Sequence, residues 1–192
     1  DHTPHPCTDE EMVNFQFSAG AGGAGGQDTR MPDGVALRIE AGRQLVLQSH
    51  YLNPTEEDRW VMDAVDIELT DEVRSPTIVD SFAMLNSGFS IPPRSGEYER
   101  VTECRVDVPM SVYLLLGHTH DYGTLFKMER LPSGAAEGET EVLYEATDGP
   151  LLRANPEILT YVTPLRFEEG DRLRMTCRWE NTTDHPLGWP EE

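Results

Sequence analysis

The sequence predicts an all-β protein, and three observations carry that expectation. Fourteen prolines and sixteen glycines divide the chain into short segments. Those segments alternate apolar and polar residues with a period of two. None of them combines the length of a substantial helix with its 3.6-residue period. At 192 residues the chain is long enough for one sandwich or two small ones, each with a working core. The Ser75-Pro76 step breaks the pattern before strand signals restart at Ile78, which sets the expected domains at 1–75 and 76–192.

The N-terminal segment holds His2, His5, Cys7 and an acidic patch. In a Pro-rich terminus the two histidines are expected to be solvated rather than metal-bound. Ala19-Gly-Ala-Gly-Gly-Ala-Gly-Gly26 can neither nucleate a helix nor pack a strand, so it reads as a flexible loop. Met31-Pro-Asp-Gly34 forms a turn, Val35-Ala-Leu-Arg-Ile39 a strand and Glu40-Ala-Gly42 the next turn. Gln44-Leu-Val-Leu-Gln-Ser-His-Tyr51 is a strand with Leu45, Leu47 and Tyr51 on one face and Val46, Gln48 and His50 on the other. Residues 60–70 follow the same rule, with Val61, Val65, Ile67 and Leu69 opposite Asp66, Glu68 and Thr70.

Strands are then expected over 78–85 and over 101–108, the second with Thr102, Cys104, Val106 and Val108 on one face. The most informative stretch comes next. Ser111-Val-Tyr-Leu-Leu-Leu-Gly-His-Thr-His-Asp-Tyr-Gly123, read as a strand, puts Val112, Leu114, Leu116, His118 and His120 on one face. Two imidazoles side by side can present two nitrogens to one metal ion, and imidazole suits copper, zinc, iron and nickel alike. The alternative is a strand end at which two polar histidines meet solvent. Residues 123–130 read as the return strand of a hairpin, 141–146 and 161–167 as strands, and 168–171 as a turn. In the last strand Leu173, Met175, Cys177 and Trp179 alternate with Arg172, Arg174, Thr176, Arg178 and Glu180, as in a half-buried antiparallel sheet.

Thirty-five acidic residues against fifteen basic ones give a formal net charge of −20. That surface repels phosphate backbones and anionic lipid, so nucleic acid is not an expected partner. No apolar run approaches the length of a membrane span. The start at Asp1 without a methionine and the stop at Glu192 suggest a trimmed chain. Three cysteines, Cys7, Cys104 and Cys177, form an odd set, which in an exported protein points to a missing partner. Asn181-Thr-Thr183 fits a glycosylation sequon but is expected to act as a plain turn.

Taken in order and spacing, several of these motifs resemble the copper type II, ascorbate-dependent monooxygenase family. They are Met31-Pro-Asp-Gly-Val-Ala-Leu-Arg-Ile39, Leu45-Val-Leu-Gln-Ser-His-Tyr51, Ser90-Ile-Pro-Pro93, Cys104, Gly117-His-Thr-His120 with Gly123, and Gly170-Asp-Arg-Leu-Arg-Met-Thr-Cys177. The resemblance implies two antiparallel β-sandwiches of jelly-roll type, the first incomplete here, each holding one copper ion. It places His118 and His120 on the oxygen-binding copper together with a methionine thioether, a soft ligand that favours Cu(I). It places His50 on the electron-transfer copper and Gln48 between the two sites. Ascorbate would reduce the coppers, and one atom of O2 would enter a C–H bond of a small-molecule or peptide substrate. The protein would be secreted, periplasmic or cell-surface.

The chain departs from the family at three points. It has no adjacent His-His pair, and no methionine follows Cys177. Trimming at both ends would account for both, and for a cysteine whose partner was lost; otherwise Cys104 pairs with Cys177 or with Cys7. Leu116 stands where peptide-hydroxylating members carry an arginine, and a neutral side chain cannot grip a carboxylate, so a glycine-extended peptide is not expected as substrate. The rival expectation is a noncatalytic β-sandwich module that binds a metal or mediates surface contacts. A carbohydrate-binding jelly roll is disfavoured, because Trp60, Trp179 and Trp189 are scattered.

Overall fold

A computed structural model describes residues 5, 6, 8, 10, 11, 18, 28–49, 51, 53, 55–69, 76–86, 88–136 and 138–188. The chain divides into two compact units, one within Asp1–Ser18 and Gly34–Ser81, the other within Ala19–Asp33 and Phe82–Glu192.

In the first unit a two-stranded sheet pairs β1 (Val35–Leu37) with β2 (Thr77–Val79). The pairing is parallel, with Val35 opposite Thr77 and Leu37 opposite Val79. Gly34 starts it from a left-handed turn at φ 76°, and its carbonyl accepts the Thr77 N–H at 2.8 Å. The strands expected over 44–51 and 60–70 do not form in residues 44–49 and 60–69. Leu45, Leu47, Val61, Val65, Ile67 and Leu69 are all exposed, and so is Gln48. An alternating pattern becomes a strand only beside an edge that takes its backbone hydrogen bonds and under a layer that covers its apolar face. These segments have neither among the described residues. At the N-terminus the His5 ring meets the Glu11 carboxylate at 2.8 Å; His2 lies outside the described residues.

The second unit is an antiparallel β-sandwich. Its elements in chain order are β3 (Ser90–Ile91), β4 (Tyr98–Arg105), β5 (Met110–Leu116), β6 (Gly123–Leu131), β7 (Glu141–Ala146), the helix α1 (Gly149–Ala154), β8 (Ile158–Phe167), β9 (Arg172–Trp179) and β10 (Leu187–Gly188). One sheet has the order β4-β9-β6-β7, a second pairs β5 with β8, and β3 pairs with β10. Along the chain only β6 and β7 are successive strands of one sheet; every other step from β3 to β10 changes sheet.

This topology corrects the expected hairpin. β6 does not return beside β5; it lies between β9 and β7, with Met128 opposite Met175 and Tyr144. The physical reason is burial on both faces. Leu125, Phe126, Met128, Glu129 and Leu131 are all buried, so β6 occupies a central position that an edge hairpin would not provide. β9 follows its pattern closely: Leu173, Met175, Cys177 and Trp179 are buried. They pack with Phe126, Met128 and Tyr144 of the same sheet and with Phe167, Val112, Leu115 and Leu165 of the facing one. Trp179 closes one end, its ring 4.8 Å from that of Phe89. On the outer face Glu103 pairs with Arg172 and Arg174, and Glu99 with Arg178.

Two side chains hold the loops. Asp171, 2% exposed, accepts hydrogen bonds from the Ser133 N–H at 2.8 Å, the Glu168 N–H at 3.0 Å and the Arg130 guanidinium at 2.9 Å. Asn181, 1% exposed, donates its amide to the carbonyls of Ile91, Pro92 and His185 and accepts from the Thr183 N–H and hydroxyl. A buried and saturated amide is not open to glycosylation; it is a turn anchor. Asn181→Ala would strand three carbonyls and a backbone N–H, so a loss of about 2 kcal/mol is expected in urea denaturation. An unchanged midpoint would refute the anchoring role.

Candidate metal centre

The apolar run of β5 ends at Leu116, four residues before the second histidine. Gly117 to His120 leave the sheet and cross towards β6 without strand pairing, yet the alternation of the sequence persists. Gly117 and Thr119 are buried, whereas His118 is exposed and His120 half-buried. The two imidazoles therefore face the same way even though the strand has stopped. Their ring centroids lie 5.1 Å apart at an interplanar angle of 60°.

Two glycines make this path possible. A Cβ on Gly117 would run into the ring of Phe126, which is buried in the core at 4% exposure. A Cβ on Gly123 would lie 2.7 Å from Thr119 Cβ, closer than real carbon atoms approach. Between them the chain turns at Asp121 and Tyr122, and Tyr122 adopts φ 68°, unusual for a bulky residue. Its carbonyl accepts the Glu180 N–H at 3.0 Å, which ties the turn to the end of β9.

The helix α1 completes the surroundings. Asp148 caps it by accepting the Leu151 N–H at 3.2 Å, and Pro150 sits in its first turn. Leu152, 1% exposed, anchors it in the core. The Leu152 carbonyl lies 2.9 Å from His118 Nδ1. A carbonyl can only accept, so Nδ1 carries the proton and Nε2 keeps its lone pair. Arg153 forms an ion pair with Asp121. Although the residue as a whole is exposed, its ring is part-buried at the Leu152 contact; desolvation of the ring, then the neighbouring His120, lowers the His118 pKa, and the hydrogen bond to Leu152 opposes them only in part. Neutral imidazole is the ligating form, so the environment of His118 favours a metal ligand.

The expected site residues are thus placed unequally. His118 and His120 come together. Gln48 lies in the first unit, on a segment that is not a strand, and His50 lies outside the described residues. Among the described residues no group of three histidine, cysteine or carboxylate side chains is arranged to hold a metal. Two imidazole nitrogens suit copper and do not by themselves exclude zinc or nickel.

Of the two alternatives left open for Cys104, the pairing with Cys177 does not form. Both are free thiols. Cys104 stands opposite Leu173, and Cys177 opposite Arg100, so four residue steps along the β4–β9 ladder separate them. That is about 13 Å at strand rise, beyond the reach of a disulfide. Cys7 lies outside the described residues. Burial pushes the Cys177 thiol up to about 12, so it stays protonated and is a poor ligand.

Sequence reasoning found the histidines but not what holds them. α1 is not legible from periodicity, because six residues carry too little of it, although Asp148-Gly-Pro150 is a helix-start signal. Compared with models of known protein families and with curated protein sequences, the chain matches none.

Proposed function

We propose that this chain carries the oxygen-site half of a copper-dependent monooxygenase, with His118 and His120 as two of the ligands and an ascorbate-like reductant. The observation that supports it most is the fixed orientation of His118: Nδ1–H is tied to the Leu152 carbonyl at 2.9 Å, leaving Nε2 for a metal beside the second ring. Metal-ligating histidines characteristically donate their other N–H to a carbonyl or carboxylate in this way. Copper held there would supply the redox chemistry that puts one oxygen atom of O2 into a substrate C–H bond. The chain's own residues contribute the His118 nitrogen, the neighbouring His120 ring and a loop held by Gly117 and Gly123. In this reading His50 serves a second copper and Gln48 has a supporting role. Jelly-roll connectivity of the second unit's sandwich and export from the cytoplasm belong to the same proposal.

Calorimetric titration with Cu(II), and with Cu(I) under ascorbate, tests it. One equivalent should bind with high affinity, and His118→Ala and His120→Ala should each abolish that binding. Unchanged copper uptake in both variants would remove the assignment. Ascorbate-dependent O2 consumption by the copper-loaded protein separates an oxidase-type site from a module that merely binds metal. Tight copper binding with no O2 consumption would favour the noncatalytic module, which is also consistent with the lack of a third described ligand at the pair.

A further inference from the structure

We propose that α1 is a positioning device for the histidine pair, a clamp that sets the tautomer of His118 and fixes the turn after His120. It rests on the copper-site reading for its purpose but on the fold for its existence.

The helix touches the histidine loop at three successive places. Gly149 lies so close to the Gly123 carbonyl that a Cβ at Gly149 would collide with it. The Leu152 carbonyl accepts from His118 Nδ1. The Arg153 guanidinium pairs with Asp121, the residue directly after His120. Contacts at the start, middle and end of the loop restrain both its position and its twist. Leu152 is fully buried, so the carbonyl that receives the His118 proton is set by the sandwich core rather than by the loop. The carbonyl is available because Leu152 lies in the last turn, just beyond Leu151, whose carbonyl takes the C-cap N–H of Asn155 at 2.9 Å.

The consequence is chemical. A histidine side chain free in water prefers the proton on Nε2, which would leave Nδ1, the nitrogen nearer the backbone, as the donor. The clamp enforces the reverse and presents Nε2, the outer nitrogen, to a metal. Neither Arg153 nor Gly149 touches a ligand nitrogen, so each acts through His118 and the loop. They are positioning residues.

Arg153→Ala releases the helix from Asp121, and Gly149→Ala pushes its first turn off Gly123. Both positions are at least partly solvent-exposed, and circular dichroism melts verify that the variants fold. The first readout is the 15N shift pattern of the His118 ring in the metal-free protein, which reports the tautomer directly. Wild type should show the Nδ1–H form, and both variants should show growth of the Nε2–H form. The second readout is Cu(II) affinity with its paramagnetic resonance spectrum: affinity should fall about tenfold, the usual scale for loss of a group that orients a ligand. Arg153→Lys should restore part of each effect. If His118 keeps the Nδ1–H form in both variants, or copper affinity and spectrum stay those of wild type, the clamp is refuted. Failure of the copper reading looks different: His118→Ala would bind copper as well as wild type, while the tautomer measurement would still decide whether the clamp exists.

Discussion

Replacing Asp171 with alanine should destabilise the second unit by about 3 kcal/mol, the scale on which a buried charge-assisted network is lost. The carboxylate gathers two backbone N–H groups and a guanidinium that also lies 5.4 Å over the Phe167 ring. Removing it strands those donors where β6 ends and β9 begins. Burial pushes the Asp171 carboxyl up, and the hydrogen bonds from Glu168, Ser133 and Arg130 more than offset that, so it sits below the ordinary aspartate range. The sign of the pH dependence follows. With the folded-state value below the unfolded one, about 3.9, the stabilisation is complete above the unfolded value and is lost as pH falls through the folded one. The gap in unfolding free energy between wild type and Asp171→Asn should hold constant down to about pH 5 and narrow below about pH 4. Urea denaturation across that range checks it. A gap that stayed level at the acid end would show that the charge of Asp171 contributes nothing.

Gly117→Ala should cost about 3 kcal/mol and remove the copper binding proposed for the histidine pair at the same time. The added methyl meets three atoms of the Phe126 ring, and that ring is packed edge-on against Tyr144, with centroids 5.7 Å apart. It cannot retreat without opening the core. The loop must yield instead, and the loop carries the histidines. Combining Gly117→Ala with Phe126→Leu should recover part of the loss, giving a coupling energy of about 1 kcal/mol or more between the two positions. Strict additivity in denaturation curves would mean that the glycine is not there to admit the ring.

These two residues also show what the sequence discloses and what it hides. The Glu168-Glu-Gly-Asp171 turn is legible, because glycine and aspartate announce it. So is the inward face of β9, where large apolar residues at every second position leave one arrangement that buries them. The pairing of His118 with His120 is legible for the same reason, since alternation persists in an extended chain whether or not a ladder forms. Gly117 is not. Its purpose lies in a contact with Phe126, and only the sheet order brings that contact about. The sheet order escapes local reasoning as well: β6 beside β9 is a pairing between segments about fifty residues apart, and nothing near Gly123 distinguishes it from a hairpin. In the first unit the failure runs the other way. Leu45 to Leu47 and Val61 to Leu69 have strand-like patterns, but a pattern states only which face would be buried, not that anything buries it.

The order β4-β9-β6-β7 has a consequence for how the protein is made. Its second strand, Arg172–Trp179, is the last long one to be synthesised, and it is flanked by strands completed some seventy and forty residues earlier. Until β9 emerges, β4 and β6 each carry an open row of amide and carbonyl groups facing the slot it will fill. The partly made chain is a pair of waiting edges. Sheets closed by such distant segments fold slowly, and unfilled edges recruit strands from other molecules. A nascent chain stalled before residue 172 should therefore need a chaperone to stay monomeric, whereas one released past Trp179 should not.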